Sequence, residues 1–375
     1  MAEKKKKKKK KSAAAPSAGW AWLRCLLPLL LAGAAYLLAH HTAGFAEWYA
    51  ETVYPHWVDI VGRFFALFSF SAAEILLYAI LLYGILSLVG AFIRRKKGGS
   101  FFKNGAGHWL RGILKFAGVL ALLFMLGGGI NYGREPFSQA EGFSTEKSSR
   151  DELISLCIKM TEEINSLSGQ MVRDANGIMT VPDSLQKDAV KAMEAVGKRY
   201  GALDGYYPEP NTLLWNGFLA GQQLSGVFSP FTTEAHFNRT MTPYNRPFTA
   251  CHELSHLRGF MREDEANFIA FLAATGSEEP YFRYSGYLLG YIYASNALYG
   301  EDYDTWLTVR GMLPAGAIAD LEENSRYWAQ YESKVAEAAS KVNDSYLKAN
   351  GQSDGTKSYG RVVDLMLAYY REQNN

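Results

Sequence analysis

His252, Glu253 and His256 are the residues whose types and spacing point most directly to chemistry. Four residues on a helix make one turn and a small offset, so the two imidazoles project from one face. That spacing offers two nitrogen donors to one zinc ion at tetrahedral angles. Glu253 emerges about 100° round the helix, within reach of a water rather than of the ion. The chemistry needs this division. Two neutral histidines and one further ligand hold the ion and leave a fourth position for water. The carboxylate then takes the water's proton as it attacks a carbonyl that the ion polarises.

The helix carrying the pair is expected over residues 248–257, with Pro247 suited to its first turn or Thr249 to its cap. Phe248, Ala250, Leu254 and Leu257 make it apolar enough to be buried, which a zinc site requires. Gly259 can end it and turn the chain back. A second helix then starts in the run Arg262-Glu263-Asp264-Glu265-Ala266-Asn267. The third ligand is expected there, at Glu263 or alternatively at Glu265.

Glu263-x-x-Ala266-Asn267, followed by Phe268 and Ala270, resembles the third-ligand helix of gluzincin peptidases, among them the CAAX prenyl proteases. The resemblance implies zinc held by His252, His256 and Glu263, with Asn267 as a partner to a histidine ligand. The spacing from the second histidine is shorter than gluzincins usually show. Gly259 matches the metzincin glycine instead, but the corresponding ligand position is Arg262, which cannot bind zinc. The wider layout includes Ser229 to Ala235 and the two motifs. It resembles the bacterial membrane proteins grouped as domain-of-unknown-function family 3810.

Elements must position these residues, and the chain is long enough for more than one domain: 375 residues, 48% hydrophobic, with net charge +2. Its apolar residues crowd the first third. Residues 20–38, 75–93 and 113–130 each meet the length of about 20 apolar residues that spans a bilayer. Eight lysines at 4–11 precede the first span. Arg94, Arg95, Lys96, Lys97, Lys103 and Arg111 follow the second, whereas Arg63 stands alone between the first two. Basic loops stay in the cytoplasm. The expected layout is therefore a cytoplasmic Lys-rich tail (1–19), a membrane region (20–132) in the cytoplasmic membrane, and an extracytoplasmic domain (137–375). The lysine run, set against a span, predicts no nucleic-acid partner.

The outer domain reads as mainly α with a small sheet, an α+β zincin-like arrangement. Helices are expected over 149–171, 181–200, 263–274, 284–299, 317–343 and 359–371, with a strand-turn-strand over 226–238. Aromatics of the first outer loop (Trp48, Tyr49, Tyr54, Trp57, Phe64, Phe65) suit the membrane interface or the underside of the domain. Glu74 reads as interfacial. His236 is a candidate oxyanion donor, and Tyr281, Tyr284, Tyr287 and Tyr291 are candidate phenols or simply a packed face. Arg283 is ambiguous in the same way. Three cysteines define no disulfide framework, with Cys157–Cys251 the one open pairing.

The function expected from the sequence is a membrane-anchored zinc metallopeptidase acting on peptide or protein substrates, its partners the bilayer and that substrate. The alternative is a membrane receptor or envelope scaffold with a structural or vestigial metal.

Overall fold

A computed structural model describes residues 18–96, 106–143, 149–350, 352 and 361–373. The lysine run and Lys97 and Lys103 of the second basic cluster lie outside the described residues. The described chain is mainly helical, with one two-stranded sheet.

Three helices are long and apolar enough to cross a membrane: α1 (Ala18–His41), α2 (Ala72–Lys96) and α3 (Ala106–Gly127). The third ends at Gly127, three residues before the expected end, because Gly129–Gly133 winds into a 3-10 turn that buries Ile130 and Tyr132. The chain divides into two compact units, Met1–Ala34 with Ser87–Leu122 and Ala35–Leu86 with Leu123–Asn375. In the first unit Gly118 lets α3 lie on the backbone of Leu29, where a Cβ would sit 2.9 Å from the Leu29 amide nitrogen. Small residues allow this close approach between apolar helices.

The second unit holds α4 (Arg150–Ser168), α5 (Leu185–Arg199), β1 (Gly226–Ser229), β2 (Glu234–Phe237), α6 (Asn245–Leu257), α7 (Glu263–Thr275) and α8 (Pro280–Glu301). It continues with α9 (Tyr303–Arg310), α10 (Ala315–Ala329), α11 (Lys334–Ala349) and α12 (Arg361–Gln373). Its centre is α6. That helix packs on α7, α8, α5 and both strands, burying Phe248, Ala250, Cys251, Leu254 and Leu257. Each such large apolar side chain contributes roughly 1.5–3 kcal/mol. α7 is buried from Asp264 to Ala274, and its acidic first turn complements the positive end of the helix.

The expected helix over 317–343 is two helices. Ser333 breaks it by accepting the Ala336 amide as the cap of α11. α9 falls in a stretch where no element was expected. α6 starts at Asn245, so Pro247 lies in its first turn and Thr249 is buried within it rather than capping it. Cys157 and Cys251 are both buried and free.

The segment between α1 and α2 is a series of short helices, and it divides its aromatics. Tyr49 and Tyr54 are buried, while Trp48 and Phe64 are exposed. Glu74 is not merely interfacial: it is buried and accepts the amides of Leu214 (2.6 Å) and Trp215 (3.0 Å). Reciprocally, Glu234 of β2 accepts the amides of Ala72 and Ala73 at the start of α2. Two carboxylates thus tie an apolar helix to the hairpin beside α6 and to the segment at 214–215 that precedes it.

Candidate metal centre

The geometry begins at the end of α6. Gly259 adopts φ +89°, and its amide bonds the His256 carbonyl while that of Phe260 bonds the Ser255 carbonyl. This paired closure of a helix end requires a left-handed residue, and a Cβ at Gly259 would meet Asn131 and Tyr54. The reversal has two consequences. It brings the start of α7 back over the histidine face of α6. It also places the Phe260 carbonyl 2.8 Å from His256 Nδ1. A ring nitrogen donating there leaves Nε2 with its lone pair directed at the neighbouring ligands.

His252 Nε2 and His256 Nε2 lie 3.1 Å apart. Glu263 sits 3.3 Å from His252 Nε2 through one oxygen and 3.9 Å from His256 Nε2 through the other. Ligands about 2.0–2.1 Å from a tetrahedral zinc are separated by about 3.3 Å, and these three side chains come close to that spacing. Two histidines and one carboxylate also suit zinc chemically. Asn267, one turn after Glu263, adjoins His252 and accepts the Tyr293 hydroxyl at 3.1 Å.

Glu265 is turned away. Its oxygens accept the amide and hydroxyl of Ser138 at 2.9 and 2.7 Å, fixing the turn that enters the short helix Phe137–Ala140.

Glu253 points to the other side of the pair. It is buried, and its Oε2 has no partner among the described residues. Burial pushes its carboxyl up to about 8, against the pull of His252. Gly226 of β1 makes room for it: a Cβ there would run into Glu253 Oε1. Burial, aided by the His252 charge, holds His256 down at about 4. Burial also lowers His252, but the Glu263 and Glu253 carboxylates outweigh it and raise that group.

These side chains line a cleft of about 590 Å³ whose other walls include β1, Phe124, Tyr132, Tyr293, Trp328 and Tyr346. The cleft separates the candidate phenols. Tyr281 bonds Asp188 and Tyr284 bonds Asp320, and none of the four stripe tyrosines lines it. Tyr293, off that stripe, does. So do Tyr132 and Tyr346, whose hydroxyls meet at 3.0 Å and feel the Glu263 charge. Their distance in sequence from the histidines hid them, and no local motif marks either one. His236 is buried behind the hairpin with Nδ1 3.3 Å from the Val227 carbonyl, outside the cleft. Arg283 bonds the carbonyls of Ser277 and Glu278 instead.

The fold and cleft define a mainly helical protein with three apolar helices and a part-buried His-His-Glu cluster. The chain belongs to the family described as protein of unknown function (DUF3810), whose model matches residues 49–367. No curated protein and no solved structure matches it.

Proposed function

We propose that the chain is a membrane-anchored, zinc-dependent metallopeptidase with a zincin-like domain, hydrolysing peptide bonds outside the cytoplasmic membrane. One observation carries this reading: His252, His256 and Glu263 converge near ligand spacing, and a separate carboxylate, Glu253, whose Oε2 has no partner among the described residues, is buried beside them. A purely structural site has no use for that fourth group.

Zinc, when bound, supplies a Lewis acid that polarises the scissile carbonyl and makes water acidic near neutral pH. The chain's own residues supply the rest. Glu253 takes the proton of the attacking water and passes it to the leaving amine. β1 pairs with β2 on one side and lines the cleft on the other, so an extended substrate can add to its free edge by backbone hydrogen bonds. Tyr293, Tyr132 and Tyr346 keep their protons because burial raises all three. Tyr293 gives its own to Asn267 and Tyr132 to Tyr346, which leaves the Tyr346 hydroxyl as the donor to a developing oxyanion. The outer placement of the domain rests on the basic residues flanking the first two spans.

The test is Glu253→Gln in the full chain. Elemental analysis should still find about one zinc per chain, while peptide cleavage falls by about 10²–10⁴-fold. Undiminished cleavage by a clean preparation of the variant would remove the mechanism.

A further inference from the structure

The catalytic cleft is built partly from the end of an apolar helix. Phe124 lies within the stretch Trp109–Gly127 that is long and apolar enough to cross a membrane, and it lines the same cleft as His252 and Glu253. The two glycines that follow have no space for a side chain. A Cβ at Gly127 would run into the Pro230 carbonyl of the β1–β2 turn, and one at Gly128 would sit 3.2 Å from the Met261 methyl. Met261 is in the turn between the two ligand-bearing helices, two residues before Glu263. The helix end is therefore wedged between the hairpin and that turn.

The rest of the rim is tied in as well. The ring of Phe124 meets Tyr346 edge-on at 6.2 Å, and Tyr346 bonds Tyr132 across the cleft wall. Leu214 and Trp215, whose amides are held by Glu74 in the first turn of α2, expose 58% and 60% of their surface. Phe218 and the hairpin residue Phe231 are exposed too. Exposed apolar side chains fixed to the ends of bilayer-length helices suit the interfacial region of a membrane.

Resting on the peptidase reading above, we infer that the substrate is a membrane-anchored polypeptide, cut in the stretch that has just left the bilayer. The spacing sets the reach. Glu263 of the cluster lies two residues after Met261, whose side chain borders Gly128 just past the end of α3. A chain leaving the bilayer beside that helix end, at about 3.3–3.6 Å per extended residue, therefore reaches the cluster within its first residues. A short soluble peptide gains nothing from this placement, whereas an anchored one arrives at high local concentration and in line with β1.

The experiment uses the full chain, wild type and Glu253→Gln, reconstituted with zinc in phosphatidylcholine–phosphatidylglycerol vesicles. Its probe is a library of single-span polypeptides, each carrying a randomised outer segment of roughly 30 residues, together with the same segments as free soluble peptides. Mass spectrometry of the fragments gives the cut positions. The inference expects cuts concentrated in roughly the first ten residues outside the span, at least about tenfold above those farther out and above the free segments. Cuts spread evenly along the anchored segments, or equal cleavage of the free ones, overturn the inference while leaving the peptidase reading intact. Fragments identical between wild type and Glu253→Gln overturn both.

Discussion

At the scale of single residues, two glutamates two positions apart have unlike surroundings, and the proposed metal site depends on which one faces the histidines. Glu263 and Glu265 both stand in the first turn of α7, where the helix dipole favours acids whatever their role. Their surroundings differ. Glu263 faces two imidazoles, and Glu265 satisfies both donors of Ser138. Glu263→Gln should therefore lower zinc retention sharply, because a neutral amide is a poor ligand, and change the melting temperature of the metal-free protein little. Glu265→Gln should keep about one zinc yet cost roughly 1–3 kcal/mol, since a buried donor of Ser138 loses its acceptor. Metal-to-protein ratio after dialysis and thermal unfolding check the pair together, and the opposite pattern would move the ligand to Glu265. The histidine pair was legible in the sequence because one helix turn fixes its geometry. Choosing between the glutamates needs the direction in which α7 returns, and that depends on contacts with Ser138 and Phe260 that no local pattern encodes.

At the scale of elements, the turn between α6 and α7 and the start of α5 each concentrate a testable dependence. Gly259 is left-handed, and its missing Cβ leaves space for Asn131 and Tyr54. Gly259→Ala should destabilise the protein by about 1–3 kcal/mol and weaken zinc binding together, because the same turn sets the Phe260 carbonyl against His256. Zinc titration followed by unfolding of the metal-free variant distinguishes the two effects. α5 depends on Asp188, a buried carboxylate bonded by Ser184, Lys191 and the Tyr281 hydroxyl of α8. Burial opposes its charge, but these donors outweigh burial and hold its folded value below the ordinary 3.8. A depressed carboxylate stabilises the fold above its unfolded value and loses that contribution as the pH falls through the folded one. Asp188→Asn should accordingly cost about 1.5–3 kcal/mol at pH 7, and the gap to wild type should narrow below about pH 4. Melting curves at pH 7 and pH 3 measure it. Most helices were legible from apolar spacing and their caps. The exception over 317–343 shows the limit: apolar spacing continues through residues 330–333, and only the Ser333 cap records that the chain changes direction there.

At the scale of the whole molecule, the region after the third apolar helix shares its core with the chain before it. The compact unit that contains the His-His-Glu cluster takes in Ala35–Leu86 as well as the chain from Leu123 onward. Tyr49, Tyr54 and Val58 from before α2 are buried within it, as are Ile130 and Asn131 from just after α3. Tyr54 packs at Gly259, so the turn that assembles the ligands is supported by a residue more than 80 positions before the start of residues 137–375. Arg134, outside that segment too, bonds the Arg258 carbonyl at 3.3 Å and pairs with Glu47 at 3.0 Å. Removing residues 1–136 would take the Arg134 guanidinium from the Phe260 ring, strip Glu234 of the amides of Ala72 and Ala73, and open the cleft wall at Phe124 and Tyr132. Tyr49, Tyr54, Val58, Ile130 and Tyr132, each contributing roughly 1.5–3 kcal/mol, together are comparable with the 5–15 kcal/mol net stability of an ordinary domain. The segment 137–375 produced alone should therefore fail to show a cooperative thermal transition and should bind zinc with no defined stoichiometry. The full chain in detergent micelles should melt cooperatively, at a temperature that rises with added zinc, because a ligand that binds only the folded state stabilises it. A fragment that melts cooperatively with one zinc bound would show that the membrane helices anchor the site without building it.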